Sequence, residues 1–208
     1  MRMPRTASSA TSPTKTSAPP SRPRPAPGDL VPSRALTPVI GPELTLPDPG
    51  RTTHLQFRRF AGCPVCNLHL RSVARRHDEI ERAGIREVVF FHSPAEELRA
   101  HVAHLPFAVV ADPDKVAYAE FGVESHLRAL LDPRGWPAIA GGVLRDTWEL
   151  LRGRGRLPAG DQPAGRLGLP ADFLITPDGR VAAVKYGEHI DDQWSVDELL
   201  TLAAQPAP

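Results

Sequence analysis

The chain has 208 residues with 25 basic and 24 acidic side chains, a net charge of +1. That length allows one domain of ordinary size plus a tail, and the balance of charge gives no support for a nucleic-acid-binding domain. No apolar run approaches the ~18 residues of a membrane span, and the first residues lack the continuous apolar stretch of a secretory signal.

Residues 1–28 hold seven of the 24 prolines, five basic side chains (Arg2, Arg5, Lys15, Arg22, Arg24) and no acid. Such a segment cannot bury enough apolar surface to order itself and reads as a disordered tail. Its arginines and serines suit a transit peptide, but its prolines oppose the amphipathic helix that such a peptide needs. The remaining 20 basic and 24 acidic residues leave the rest of the chain at −4. A soluble, cytoplasmic protein is expected, with no membrane association. Residues 29–50 stay proline-rich with apolar islands at 36–40 and 44–46, an extended arm able to add an edge strand. The folded domain is expected over residues 51–204, with 205–208 a short tail.

The stretch QFRRFAGCPVCNLHL contains both cysteines, Cys63 and Cys66, as C-x-x-C. Before it, Leu55, Phe57 and Phe60 mark a strand over residues 54–60. After it, Cys66, Leu70, Val73, His77 and Ile80 fall on one face of a helix reaching residue 83, closed by Gly84. Pro64 suits the first helical turn, where its missing N–H goes unneeded. Cys63 therefore sits where unpaired amides and the positive end of the helix dipole favour a thiolate, and its pKa should fall below that of a free thiol. Cys66 lies on the apolar face, able to attack a mixed disulfide or sulfenic acid on Cys63. Cys63 is thus the expected attacking cysteine and Cys66 the resolving one.

Other readings of the pair are half a zinc site, a structural disulfide and two inert thiols. Zinc needs four ligands, and only His101 and His104, in a tight H-x-x-H, could complete a set. A disulfide closing so short a loop constrains little of the unfolded chain. Redox chemistry with neither metal nor organic cofactor is the expectation.

Farther along, the apolar run IREVVFF (residues 85–91) is a strand buried on both faces. Ser93-Pro94-Ala95-Glu96 has the spacing of a capping box with proline at the first helical position. Residues 107–111 form another strand, and 115–121 a short helix closed by Gly122. The order so far, β-α-β-α-β-α, implies parallel strands with helical crossovers. Residues 125–165 interrupt it as an insertion with helical pieces around 127–131 and 144–151. Two strands, 173–176 and 181–186, then flank the turn Thr176-Pro177-Asp178-Gly179. Ser195 and Glu198 make a second capping box, opening a last helix over 196–204.

This arrangement, with C-x-x-C opening the first helix, resembles the thioredoxin fold. FRRFAGCPVCNLHL, FAVVADPDKVAYAEFGVE and LPADFLITPDGRVAAVKYGEHIDDQWSVDELL resemble the peroxiredoxin-like branch of the alkyl hydroperoxide reductase/thiol-specific antioxidant family. The resemblance covers about residues 54–204. It implies an α/β domain with a central mixed sheet, helices on both faces and a helical insertion before the last hairpin. It also implies a thiol-disulfide/peroxide oxidoreductase acting on a peroxide or disulfide, with a thioredoxin- or glutaredoxin-type external dithiol as reductant. Open sheet edges leave room for a homodimer. The alternative is a non-enzymatic redox sensor or interaction module. The resemblance further places Pro170 in the loop that is cis in thioredoxin-like proteins, packed against the cysteines. Two departures stand out. The P-x-x-x-T/S-x-x-C pattern of ordinary peroxiredoxins has Gln56 and Phe60 in its Pro and Thr places. The buried acid that thioredoxins keep on the preceding strand is replaced by Phe57, Arg58 and Arg59.

Further candidates surround the pair. Arg58 and Arg59 point to opposite sides of a strand, so one of them can face the thiolate. His189 follows the last strand in a loop that approaches the cysteines in this fold, and His69 lies on the helix for proton transfer or packing. Arg166 precedes the Pro170 loop. Trp148 and Trp194 are expected in the core.

Overall fold

Alternation along the strand IREVVFF shows how the layers are built. Val88 and Phe90 join one apolar cluster, whereas Ile85, Val89 and Phe91 join clusters on the opposite face. A strand apolar on both sides must be covered on both sides, and this one is. The computed structural model describes residues 24–123, 132–153 and 168–205. The tail to residue 23, the helical piece expected around 127–131 and Arg166 lie outside them.

Among the described residues, the central sheet has five strands: β3 (Thr52–Phe57), β4 (Ile85–Phe91), β5 (Ala108–Ala111), β6 (Ala171–Ile175) and β7 (Val181–Tyr186). Their order is β5-β4-β3-β6-β7, with β3, β4 and β5 parallel and β6 and β7 antiparallel to their neighbours. This is the mixed thioredoxin-like sheet. The arm does not extend the sheet as a full edge strand. It forms its own small hairpin, β1 (Arg34–Leu36) with β2 (Leu44–Leu46), and touches β5 through a single bridge at Pro38–Val110.

One face of the sheet carries the arm and α4 (Val116–Glu120) over Leu55, Phe57, Val88, Phe90 and Phe173. The other carries α1 (Pro64–Arg75), α2 (His77–Arg82), α3 (Ala95–Val102), α5 (Trp136–Leu151) and α6 (Val196–Ala203). The expected long helix is two: the chain breaks at Arg76 (φ −112°, ψ 19°), whose guanidinium bonds Glu79 and Asp197. Gly84 follows α2 with φ +75°, a left-handed close that a side chain would strain. Ser93 does not cap α3. Its Oγ accepts the Ala61 N–H at 3.0 Å, and Pro94 takes the cap position. The second capping box forms as expected, Ser195 and Glu198 bonding each other's backbone N–H.

The insertion contributes α5, which runs longer than the 144–151 segment and packs across the start of α1. Gly142 makes this approach close, since a Cβ there would lie 2.9 Å from the Pro64 backbone carbon. Trp194 is buried beside His54, but Trp148 is 52% exposed on the outer side of α5 and is not a core residue. None of the described helices is long and apolar enough to cross a membrane.

Candidate active site

The site forms where β3 and β4 end. The His92 N–H donates to the Arg59 carbonyl at 3.0 Å, which holds the two strand ends together. Ser93 secures Ala61, Gly62 turns the chain with φ +73°, and the Cys63 N–H closes on the Phe60 carbonyl at 3.1 Å. α1 then begins with Pro64 in its first turn and Cys63 as its cap. The Cys63 Sγ accepts the Cys66 N–H at 3.4 Å, so sulfur replaces the usual capping oxygen. Both cysteines are free thiols, and both are buried, Cys63 completely and Cys66 to 5% exposure. Phe60, Val65, Ala138 of α5 and Ile190 pack in the same cluster. The expected attacking sulfur is therefore enclosed, because the insertion lays α5 over the motif.

The two arginines part as their alternation requires. The Arg59 Nη2 donates to the Cys63 Sγ at 2.8 Å, and its guanidinium lies over the Phe60 ring. Arg58 turns to the other side, where its Nη2 meets Asp172 Oδ1 at 2.7 Å, Gln56 Oε1 at 2.6 Å and His69 Nε2 at 3.1 Å. His54 continues this buried network, 2.9 Å from Glu87 and 3.3 Å from Asp172. Gln56 donates to Glu87, and Asp172 Oδ2 accepts the Trp194 N–H at 3.0 Å. Strand register explains the gathering. His54 pairs with Glu87, Gln56 with Asp172, and all project to the α1 face. Asp172 thus brings from β6 a buried carboxylate that β3 does not carry.

Electrostatics treats the cysteines as one unit. Burial, then the hydrogen bond and charge of Cys66, push the Cys63 thiol well up. Burial also opposes ionisation of Cys66, but the Cys63 hydrogen bond and the Arg59 charge bring it down to about 6. Two thiols sharing a proton titrate as a pair, so the pair holds one thiolate and one proton at neutral pH. The lowering expected of Cys63 falls on Cys66 instead: Cys63, wholly buried beside its partner, keeps the proton, and Cys66 carries the negative charge. Burial and the Arg58 charge press His69 down to about 3, so it is a neutral acceptor. His54 is raised to about 9: burial opposes its charge, and Glu87 and Asp172 outweigh burial.

Pro170 departs from expectation. The Leu169–Pro170 bond is trans, and the cis bond among the described residues is Leu46–Pro47. The Pro170 carbonyl accepts the Gly187 N–H at 2.9 Å, which opens the antiparallel β6–β7 ladder with an extended proline. His189 has its Nδ1 3.3 Å from the Asp191 N–H, with no described contact to either sulfur; the neighbouring Ile190 reaches the cysteine cluster instead. Among the described residues no three His, Cys, Asp or Glu side chains gather in a metal-binding group. Sequence reading passed over Asp172, Glu87, Gln56 and His92. For the first three the signal was polar residues on the inward phase of otherwise apolar strands; His92 follows β4 and carried no such signal.

The fold recurs among solved structures. Peroxidoxin BcpB from Mycobacterium tuberculosis superposes with a TM-score of 0.60 at 17% identity, over 86% of this chain and 97% of that one. AhpC from the same organism gives 0.58 at 15% identity, over 87% and 92%. A thiol:disulfide interchange protein assigned as DsbE, from Chlorobium tepidum, gives 0.55 at 17% identity, over 86% and 99%. At such identities the likeness is one of fold. No curated protein matches the sequence. The model of the AhpC/TSA antioxidant enzyme family matches residues 72–189, more than half of the chain and beginning just after the cysteine pair. A thioredoxin-like sheet, a cysteine pair capping its first helix and this family match lead to one conclusion: the chain belongs to the AhpC/TSA antioxidant enzyme family and is a thiol-dependent oxidoreductase.

Proposed function

We propose that this protein reduces hydroperoxides, with Cys63 attacking and Cys66 resolving, and that an external dithiol regenerates it. The observation that carries the reading is the Arg59 guanidinium 2.8 Å from a wholly buried Cys63 Sγ. A cation against a desolvated sulfur favours the thiolate, which is the nucleophile toward peroxide. Enclosure under α5 favours an oxidant of a few atoms over a protein disulfide.

The chemistry balances with thiols alone. The pair's proton passes from Cys63 to Cys66, and the Cys63 thiolate so formed, facing Arg59, attacks the terminal oxygen of the hydroperoxide; the S–O bond forms and the O–O bond breaks. The leaving alkoxide takes the proton shared by the pair, giving an alcohol, a sulfenic acid on Cys63 and a thiolate on Cys66. Cys66 then attacks the Cys63 sulfur, an S–S bond forms, and hydroxide leaves as water after protonation. A thioredoxin- or glutaredoxin-type dithiol reduces the disulfide and is itself oxidised, a cycle suited to a reducing cytoplasm.

Stopped-flow oxidation of the reduced protein by hydrogen peroxide, followed by tryptophan fluorescence, tests this. Rapid oxidation should vanish in Cys63→Ser and stop at a sulfenic acid in Cys66→Ser. A slow peroxide reaction beside fast exchange with a small disulfide would make the protein a disulfide reductase. Oxidation without turnover by any dithiol would favour a redox sensor, whose switch would be the pair beneath α5.

A further inference from the structure

We infer that His92 is a catalytic residue of the peroxide step, its imidazole binding the hydroperoxide beside the Arg59–Cys63 pair. This rests on the hydroperoxide reading above. His92 follows β4 and is 2% exposed, yet neither ring nitrogen has a hydrogen-bond partner among the described residues. Buried polar groups in native proteins are almost always satisfied, and an orphan calls for a ligand. Its aromatic neighbour cannot serve. Tyr118 meets the imidazole edge-on at 5.7 Å without a hydrogen bond to it, and its one hydroxyl proton goes to the Arg58 and Phe90 carbonyls.

The orphan faces the reacting sulfur's partner. His92 and Arg59 are joined by a backbone hydrogen bond, and Gly168 borders both side chains. A Cβ at residue 168 would stand 3.4 Å from Arg59 Cγ and 3.6 Å from His92 Nε2, in van der Waals contact with both. The Arg59 Nε is likewise buried and unpartnered. Two unspent polar groups therefore adjoin one glycine, and the Arg59 guanidinium links them to the Cys63 sulfur. Nothing in the described structure uses them.

Burial, with the charges of Lys115 and Arg59, holds His92 down to about 4, so at neutral pH one nitrogen donates and the other accepts. With the proton on Nε2, the imidazole donates to the oxygen that leaves as the O–O bond breaks. Arg59 holds the attacking sulfur. The S–O bond forms on Cys63, and the O–O electron pair departs on the leaving oxygen. The cysteine pair's proton completes the alcohol or water, and His92 keeps its own. The role is that of a hydrogen-bond donor aimed at developing negative charge. It stands in a site where Phe60 occupies the place of the hydroxyl residue three positions before Cys63.

The test compares hydrogen peroxide, tert-butyl hydroperoxide and a small aliphatic disulfide as oxidants of the reduced wild type, His92→Leu and His92→Gln. His92→Leu should lower both peroxide rate constants about 100-fold. It should leave the disulfide rate within about twofold, and Gln, which keeps an N–H near Nε2, should recover most of the loss. Equal slowing toward all three oxidants, or an unchanged peroxide rate, overturns the inference while leaving the hydroperoxide reading intact. A wild type inert to both peroxides but reactive with the disulfide overturns both. Gly168→Ala keeps His92 but sets a methyl against its Nε2, where the hydroperoxide would bind, and it decides the matter if His92→Leu fails to fold. It should also slow peroxide selectively, and an unaltered peroxide rate there refutes the assignment.

Discussion

Replacing Arg59 by methionine keeps an unbranched buried side chain and deletes the charge facing Cys63. A hydrogen bond to a charged partner contributes about 1.5–3 kcal/mol. Two unit charges ~4 Å apart at an effective dielectric of ~20 give an upper figure of about 4 kcal/mol. At ~1.4 kcal/mol per pKa unit, the lower range corresponds to a rise of about 1–2 units. The titration now at about 6 should therefore move to about 7–8 in Arg59→Met. At pH 7 the thiolate fraction would fall from about nine-tenths to between one-half and one-tenth, and the peroxide rate should fall at least in proportion.

Ultraviolet absorbance of the thiolate against pH, in reduced wild type and variant, reads this shift directly. Cys63→Ser and Cys66→Ser then show how each sulfur titrates without its partner. With only one sulfur left there is no shared proton, and each single-cysteine variant should give one simple transition. An unchanged midpoint in Arg59→Met would refute the reasoning. It would mean that the amides at the start of α1 alone hold the thiolate.

Asp172→Asn leaves the buried Arg58 guanidinium without its charged partner, which should cost about 3–5 kcal/mol and lower Tm by about 6–20 °C; a loss below about 1 kcal/mol in urea unfolding would contradict the role given to that pair. The histidine contributions to stability should together be largest near pH 6.5, the unfolded-state value of histidine. His54, raised to about 9, contributes stability that is full below 6.5 and lost as pH rises through 9. His69 and His92, held down to about 3 and 4, contribute stability that is present above 6.5 and lost as pH falls toward those values. Each changes stability by at most about 1.4 kcal/mol per pH unit within its window. Chemical unfolding across pH in a Cys63→Ser/Cys66→Ser double variant, which lacks the thiols' own pH dependence, checks the maximum, and a curve flat between pH 5 and 8 there would rule out all three assignments.

Much of this architecture lies open in the sequence because local pattern and tertiary context agree. The strand IREVVFF begins and ends where its apolar run does, and Pro64 and Cys63 open α1 as their chemistry requires. Arg59 was legible as one of two strand neighbours, although only the structure decides which faces the sulfur. What stayed hidden depends on register between distant strands. Nothing near Glu87 or Asp172 announces that parallel and antiparallel pairing sets them around His54 and Gln56. Ser93 misled for the same reason: its capping-box spacing is real, but Ala61, 32 residues away, claims its hydroxyl. The exposure of Trp148 and the burial of Cys63 share one cause outside local pattern, the placement of α5 across α1.

In the proposed cycle, that placement separates peroxide reduction from regeneration by a dithiol. A hydroperoxide needs only a path for a few atoms to reach Cys63, whereas a dithiol protein must bring its own sulfur into bonding contact with the pair. With Cys63 wholly buried and Cys66 5% exposed, α5 stands between the disulfide and any protein reductant. The contact that seats it is the approach of Gly142 to Pro64, where a Cβ would lie 2.9 Å from both the Pro64 carbonyl carbon and its Cβ. Those atoms belong to backbone and a rigid ring and cannot give way as a flexible side chain would, so Gly142→Ala must move the helix. The displaced α5 should uncover the cysteines, raising the rate of N-ethylmaleimide alkylation and of reduction by a dithiol protein. Oxidation by hydrogen peroxide should change far less, since it needs room for only a few atoms. Equal alkylation rates in Gly142→Ala and wild type would show that α5 does not control entry to the pair.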